Sequence, residues 1–100
     1  MELHFPRLAE RELTDADARY RGQSARSADR FRVAVEDAMK EIAAQPLLCP
    51  AYRRSSRWLR LRKFPYVLYF QIKSLDRISI LAVAHKQRRP GYWMNRLYRP

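Results

Sequence analysis

The sequence predicts an α+β fold in which a helical hairpin packs on one face of a mainly antiparallel sheet. Three observations lead to this prediction. Two long segments in the first half have apolar residues at helical spacing, and three segments in the second half have the residue types and spacing of β-strands, the last of them apolar on nearly both faces. A short alternating segment also precedes the helices. The predicted order is therefore β-α-α-β-β-β, and the order of the strands within the sheet stays open.

The length of 100 residues is enough for one hydrophobic core. We therefore expect a single domain over residues 1–100, with a basic and aromatic C-terminal tail over residues 86–100. A hydrophobic share of 47% can offset the entropy lost on ordering the chain. No segment reaches the roughly 20 apolar residues that cross a bilayer, and Met1–Arg7 lacks the apolar run of a signal peptide. We expect a cytoplasmic protein with no membrane partner.

The first predicted strand is Met1–Phe5, which Pro6 ends, unless Pro6 opens the following helix. The first helix is predicted over Leu8–Tyr20, because its apolar residues recur at steps of four, three and four. Gly22 supplies a stop for this helix. The apolar stripe consists of Ala9, Leu13, Ala16 and Tyr20.

The second helix is predicted to begin after Ser24, which can cap it, and to end near Ala44, because Gln45-Pro46 prevents its continuation. Two such helices joined by a few residues form an antiparallel hairpin with one apolar side. This side must pack against another element, and the sheet is the candidate. The apolar stripe of the second helix consists of Ala28, Phe31, Val35, Ala38 and Ile42.

Three strands are predicted in the second half, after an irregular connection over Leu47–Arg57. They are Trp58–Lys63, Tyr66–Ile72 and Ile78–Ala84. The last is apolar on nearly both faces, as expected of a central strand. The tail that follows contains a Pro90-Gly91 turn and is either an extra helix or an extra strand.

The charge of the chain is concentrated in its second half. Residues 1–50 contain 8 Lys/Arg and 9 Asp/Glu, which gives −1, whereas residues 51–100 contain 13 Lys/Arg and only Asp76, which gives +12. Such a separation attracts a polyanion, either nucleic acid, an acidic protein segment or a membrane surface. Solubility alone does not require this asymmetry.

Metal and cofactor chemistry are not expected. Cys49 is the only cysteine, so an internal disulfide or a multi-cysteine zinc site cannot form, and we expect a half-buried core thiol. With Asp76 as the only carboxylate of the basic half, clustered oxygen ligands for a hard cation are missing. Only Gly22 and Gly91 are glycines, so there is no glycine-rich phosphate loop.

Two segments carry a resemblance to a known family. They are Phe64-Pro65-Tyr66-Val67-Leu68-Tyr69 and the run from Ile80 to Trp93, ILAVAHKQRRPGYW. With the element order and the length, they resemble the RelE/ParE superfamily of plasmid-stabilisation toxins. The resemblance covers almost the entire chain. It implies a complex with an acidic antitoxin whose C-terminal segment wraps the helical hairpin and lies over the sheet, with contacts at Phe31, Val35, Arg60 and Tyr69.

The family resemblance leaves two mechanisms open. ParE-like members poison DNA gyrase, whereas RelE-like members cut mRNA in the ribosome. His85 followed by Arg88 and Arg89 looks closer to ParE-like sequences, so we favour a non-enzymatic inhibitor of gyrase. The residues expected to contact the target or nucleic acid are Arg53, Arg54, Arg57, Arg60, Arg62, Arg88, Arg89 and Trp93.

The alternative is a metal-independent mRNA endoribonuclease. It needs a base, an acid and cations for the phosphate charge, and the candidates are His85, Tyr92, Arg60, Arg62 and Lys63. In the predicted strand, Arg60 and Arg62 share one face about 6.6 Å apart. Near its end, the second helix offers only Lys40, which weakens this interpretation. A further alternative is a non-toxic basic RNA-binding module.

Structural roles compete with these assignments. His85 can fix the following turn by hydrogen bonding, and Tyr92 and Trp93 can anchor the tail to the core as readily as they stack on a base. Arg53, Arg54 and Arg57 can be ordinary solvated surface.

Overall fold

The computed structural model describes residues 1–97 and has the predicted element order. The elements are β1 (Glu2–His4), α1 (Arg7–Gln23), α2 (Ala25–Ala44), β2 (Ser56–Arg60), β3 (Tyr66–Ser74) and β4 (Arg77–His85). Two short 3-10 helices, Pro46–Leu48 and Met94–Arg96, lie in the connections. None of the helices in this part of the chain has the length and apolar character needed to cross a bilayer.

The sheet has the strand order β1-β4-β3-β2. β4 pairs with β3 and β3 pairs with β2 in antiparallel fashion, whereas β1 pairs with β4 in parallel. The parallel pair arises because the two helices carry the chain from β1 back over one face. The prediction of a helical hairpin on a mainly antiparallel sheet is therefore confirmed, and the structure adds the strand order that the sequence left open.

The hairpin of α1 and α2 buries its apolar stripes against one face of the sheet. Every stripe residue predicted for α2 is buried. Ser24 links the helices, and its hydroxyl accepts a hydrogen bond from the backbone N–H of Ser27 at 2.9 Å, as expected of an N-cap. α1 continues one residue beyond Gly22, the predicted stop, and Pro6 stands at the N-cap of this helix.

The position of β2 differs from the prediction. The strand was expected over Trp58–Lys63, but it spans Ser56–Arg60. Lys63 has a positive φ of 66°, so the chain turns immediately after Leu61 instead of continuing in extended conformation. At the other end, Tyr52 donates its backbone N–H to the Ser56 carbonyl at 2.7 Å, which extends the pairing N-terminally.

A second, smaller core lies on the sheet face that the helices do not cover. The buried side chains of Leu81, Ala82, Trp93 and Leu97 form it. The tail reaches this face through turns and the Met94–Arg96 3-10 helix, so its described part is neither an extra α-helix nor an extra strand. Residues 98–100 of the expected tail, which include Tyr98, lie outside the described residues.

Cys49 is more deeply placed than expected. Its side chain is buried in the main core, at 5% exposure, at the end of the first 3-10 helix. Burial raises the pKa of its thiol, and Glu41 adds to this effect while Arg57 opposes it. The residue is therefore a structural thiol that stays protonated near neutral pH.

Candidate anion-binding face

The sheet register decides which side chains share the helix-free face. Arg60 of β2 lies opposite Val67 of β3, and Val67 lies opposite Ala84 of β4. Since cross-strand partners project from the same side of a sheet, these three residues form one row. The row lies at the end of the sheet where β2 and β4 finish and β3 begins. It carries a cation at one end and leads to the basic segment after β4 at the other.

A first depression lies between this end of the sheet and the tail. Its volume is about 80 Å³, and its floor contains Val67, Ala84 and Tyr69. Four basic side chains from the end of β4 and the following turn line it, namely His85, Lys86, Arg88 and Arg89. The depression therefore has an apolar floor and a rim of cations.

A second, wider depression adjoins the first. Its volume is about 570 Å³, and Arg60 and Lys63 are among its lining residues. Val67 and Lys86 line both depressions, so the two are direct neighbours. Among the described residues that line either depression, none is an aspartate or a glutamate. We call the two depressions together the basic face.

Gly91 closes the turn between β4 and the tail. It has a φ of 74°, a region in which residues with a side chain are strained. A Cβ at this position would lie 3.4 Å from Nη1 of Arg53 and 3.2 Å from Cγ of Met94. Arg53, which comes from the loop before β2, therefore lies directly against the turn that carries Arg88 and Arg89.

Glu12 of α1 fastens the tail to the sheet. Its carboxylate accepts a hydrogen bond from the Tyr92 hydroxyl at 2.5 Å and forms two contacts with the Arg96 guanidinium, at 2.9 and 3.2 Å. It also accepts the backbone N–H of Val83 at 3.0 Å, while Arg96 donates to the carbonyl of Leu81 at 3.2 Å. We call Glu12, Tyr92 and Arg96 the tail latch.

The tail latch also covers an open strand edge. β1 pairs with β4 only as far as Ser79, because β1 ends at His4. Beyond that point the outer edge of β4 has no strand partner, and the side chains of Glu12 and Arg96 bind its backbone groups instead. Buried backbone groups left without partners destabilise a fold. The latch therefore joins α1, β4 and the tail in one hydrogen-bond network.

Sequence reasoning missed Glu12 and Arg96, although one signal for Glu12 was present. Glu12 lies three residues after Ala9 and four before Ala16, both of which are buried, so it stands on the core-facing side of α1. An acid at such a position needs a partner. The partner, Arg96, is 84 residues away, which no local pattern can indicate.

Tyr92 has a structural role in this network. Its ring lies beneath two guanidiniums, with Cζ of Arg88 at 3.9 Å from the ring centroid and Cζ of Arg96 at 5.3 Å. Burial raises the pKa of the Tyr92 hydroxyl, and the hydrogen bond and negative charge of Glu12 raise it further, against the opposing effect of the two arginines. The hydroxyl therefore stays protonated and donates its hydrogen bond to Glu12. It is a poor proton donor to any substrate.

The raised pKa of Tyr92 predicts a loss of stability in alkali. Above about pH 10, the ordinary pKa of a tyrosine, the hydroxyl ionises in the unfolded chain but stays protonated in the folded one. The free energy of unfolding should therefore be fully retained below pH 10 and fall as the pH rises beyond it. In Tyr92→Phe this fall should be shallower, which urea titrations between pH 8.5 and 11 will measure. An unchanged slope would contradict the assignment.

His85 also has a structural contact. Its Nδ1 accepts the backbone N–H of Gln87 at 3.1 Å, which fixes the turn after β4 as one of the sequence-based readings expected. The ring packs edge-on against Tyr66, with 5.1 Å between centroids. Because Nδ1 is an acceptor, the neutral ring carries its proton on Nε2. Nε2–H is the donor that the ring retains for another group.

The other arginines expected to contact a target differ in whether the fold already engages them. Arg54 is exposed at a turn with a φ of 53°, and Arg60 is exposed at the end of β2. Arg57, by contrast, donates to the carbonyls of Leu47 and Cys49, at 3.4 and 2.8 Å, and so fixes the loop before β2. Arg62 does not share a strand face with Arg60, because it lies beyond the end of β2 and lines a groove beside α2.

The aromatic and helical residues expected to contact partners are largely covered. Trp93 has 0% exposure and packs on Tyr69, with 4.5 Å between ring centroids. Phe31 and Val35 are 1% and 4% exposed within the main core. In this conformation neither helical side chain lies on a surface that a partner can touch. Among residues 1–97, no three His, Cys, Asp or Glu side chains are grouped to hold a metal ion.

The fold and the basic face define a small basic α+β domain, and comparisons with known proteins give its family. The model of the ParE toxin of type II toxin-antitoxin systems, parDE, matches residues 3–90. The chain therefore belongs to the ParE toxin family and is a type II toxin.

The comparison with solved structures agrees. A chain of the chromosomal ParDE toxin-antitoxin system of P. aeruginosa is similar to this chain with a TM-score of 0.61 and 21% sequence identity. The similarity covers 85% of this chain and 95% of the other. At this identity the likeness supports the fold alone. A search of curated protein sequences finds no significant match.

Proposed function

We propose that this toxin inhibits DNA gyrase by binding and not by catalysis. The observation that carries the proposal is the engagement of the Tyr92 hydroxyl and of one of the two ring nitrogens of His85 in structural hydrogen bonds. The Tyr92 hydroxyl is bound to Glu12, and Nδ1 of His85 is bound to the backbone of Gln87. General acid–base cleavage of RNA needs two groups that can exchange protons with the substrate. The basic face offers cations without such a pair, which suits an inhibitor.

The toxin is proposed to act in the cytoplasm and to be held inactive there by an acidic antitoxin. Charge complementarity with the +12 half of the chain supports an acidic partner. On the helical hairpin, the exposed residue Val33, at 51% exposure, lines a groove between α2 and the β2–β3 turn. We propose that the antitoxin contacts this groove. Phe31 and Val35 contribute indirectly, because they are buried and pack α2 against the main core.

Pulse labelling after induction of the toxin alone tests the target. We expect incorporation of thymidine to stop within minutes while incorporation of methionine continues, because replication depends on gyrase directly. Purified toxin should also inhibit supercoiling of relaxed plasmid by gyrase in a dose-dependent manner. Co-expression of the cognate antitoxin is the control, and it should restore growth.

A different order of events would contradict the proposal. If methionine incorporation stops first and primer extension shows fresh 5′ ends within coding frames, the toxin is a ribosome-dependent endoribonuclease. In that case His85, Arg60 and Lys63 become the active-site candidates, because they lie around the two neighbouring depressions.

A further inference from the structure

We propose that the basic face binds the phosphate backbone of DNA, and that the depression after β4 holds one phosphate group. This inference rests on the proposed function, because it makes DNA part of what the toxin contacts when it inhibits gyrase. Gyrase works on DNA, so an inhibitor that also contacts the DNA would be bound at the junction of enzyme and substrate. The inference concerns the ligand of this face, which the family assignment leaves open.

The first depression has the size and the donors of a phosphate site. Its volume of about 80 Å³ is enough for a single small anionic group. Lys86, Arg88 and Arg89 line it, and His85 retains one ring N–H as a donor. Guanidinium groups bind phosphate oxygens through two parallel hydrogen bonds, which makes arginine well suited to this ligand.

One donor of this depression, Arg88, is oriented before any ligand arrives. Its guanidinium lies 3.9 Å above the Tyr92 ring, and the tail latch fixes that ring through Glu12. The Arg53 side chain lies against Gly91 on the same turn. Binding through Arg88 therefore costs less side-chain entropy than it would with a freely rotating arginine. Lys86 and Arg89 add their charges at the exposed edge of the same depression.

The second depression supplies a path for the rest of a polyanion. Arg60 and Ala84 are separated by two strand spacings, roughly 10 Å, across the row through Val67. Lys86 stands between the two depressions and Lys63 lines the far one. A strand with a charge on every unit can occupy both depressions at once, whereas a single anionic side chain fills only the first.

The largest exposed apolar side chains lie away from the basic face, where only half-buried groups such as Phe64 and Val67 add apolar surface, and this distribution favours a nucleic acid over an acidic protein segment. Protein interfaces depend on a few apolar or aromatic side chains buried in pockets at their centre. Six large hydrophobic residues are exposed in the described chain, and none of them lines either depression. They are Met1, Leu8, Val33, Leu47, Leu48 and Leu75. The aromatic residue closest to such a role, Trp93, is already buried by the tail.

Salt-dependent binding of a fluorescein-labelled 20-base-pair duplex by the purified toxin, without gyrase, tests the inference. We expect saturable binding whose affinity falls as KCl rises. The triple variant Lys86→Ala/Arg88→Ala/Arg89→Ala should reduce the slope of log K against log [KCl] by about 0.9, because the depression holds one phosphate and each neutralised phosphate contributes about 0.9. At 100 mM KCl its affinity should be at least tenfold lower. The double variant Lys86→Ala/Arg89→Ala leaves the Arg88–Tyr92 contact intact and should lose a smaller part of the slope than the triple variant.

The matched control removes the same number of charges from the helical layer. In Arg7→Ala/Arg11→Ala/Lys40→Ala all three residues are exposed on α1 and α2 and line neither the basic face nor the groove beside α2, so this variant should retain the wild-type slope within about 0.3. Circular dichroism confirms that all variants are folded. Equal losses in both triple variants would show that only net charge matters and would overturn the site. Tighter binding of polyglutamate than of duplex DNA would overturn the choice of ligand.

The gyrase assay separates failure of this inference from failure of the proposed function. A toxin that inhibits supercoiling but shows no duplex binding retains the proposed function and refutes the inference. A toxin that binds the duplex through Lys86, Arg88 and Arg89 but leaves gyrase unaffected supports the inference and refutes gyrase as the target.

Discussion

Replacement of Trp93 by alanine is expected to lower the free energy of unfolding by about 3–5 kcal/mol. Trp93 is fully buried at 0% exposure on the helix-free face of the sheet. Its ring packs on Tyr69 at 4.5 Å and on Tyr52 at 5.7 Å between centroids. The substitution leaves a cavity on this face and removes the residue that joins the tail to the smaller core. Urea unfolding followed by circular dichroism at 222 nm measures the loss without relying on tryptophan emission.

The control is Leu75→Ala in the β3–β4 turn. Leu75 is 99% exposed, so its truncation should change the free energy of unfolding by less than about 0.5 kcal/mol. The two variants each remove one large apolar side chain and differ in burial. If Trp93→Ala costs less than about 1 kcal/mol, the tail is not packed on the sheet in solution. The tail residues that line the first depression of the basic face would then have no fixed position.

The parts of the fold that depend on local spacing could be predicted from the sequence. The stripe of α2 repeats at helical period, and all its residues are buried, from Ala28 and Ile42 at 0% to Ala38 at 6%. The cap at Ser24 is likewise a local signal, because side chain and backbone partner are three residues apart. Such features arise within one or two turns of chain, where the spacing of residue types fixes the geometry.

Features that depend on distant contacts could not be predicted. The bounds of β2 are set by pairing with the preceding loop, through Tyr52 and Ser56, and by the turn at Lys63. The tail has few local signals of its own, and its course is fixed by Glu12, 84 residues before Arg96. Only the packed chain brings these groups together.

The candidate site was likewise predictable only in those features that residue type and local spacing determine. The sequence identified the cations, and the structure brings Arg53, His85, Arg88 and Arg89 together around one turn. It assigned chemistry to Tyr92 because tyrosine can donate a proton, but the hydroxyl is already bound to Glu12. The residue type alone could not show that this hydroxyl already has a hydrogen-bond partner in the fold.

The largest electrostatic effect is expected for Glu12→Ala, which should lower the free energy of unfolding by about 3 kcal/mol. Glu12 and Arg96 are only 16% and 18% exposed, so water compensates little for the loss. The substitution leaves a nearly buried guanidinium with the Leu81 carbonyl as its remaining partner, and it removes the acceptor of the Val83 N–H. Urea unfolding at pH 7 measures the change.

Asp17→Ala is the matched control for Glu12→Ala. Asp17 also lies on α1 and also contacts an arginine, Arg21, at 3.4 Å, but their side chains are 36% and 49% exposed. An exposed pair of this kind contributes less than about 1 kcal/mol, so the control should remain close to wild type. A similar, small cost for both variants would show that the tail latch is solvated and does not hold the tail.

The double variant Glu12→Leu/Arg96→Met decides what the latch contributes. Replacing both charges with apolar groups of similar size removes the unpaired ion that Glu12→Ala leaves behind. If the cost of Glu12→Ala comes from that ion, the double variant should be more stable than the single one by about 1–2 kcal/mol. The affinity of the double variant for duplex DNA should nevertheless fall. The Tyr92 hydroxyl loses its acceptor, so the Tyr92 ring no longer holds the Arg88 guanidinium in a fixed position. Recovered stability with weakened DNA binding would show that the latch orients the basic face more than it stabilises the fold.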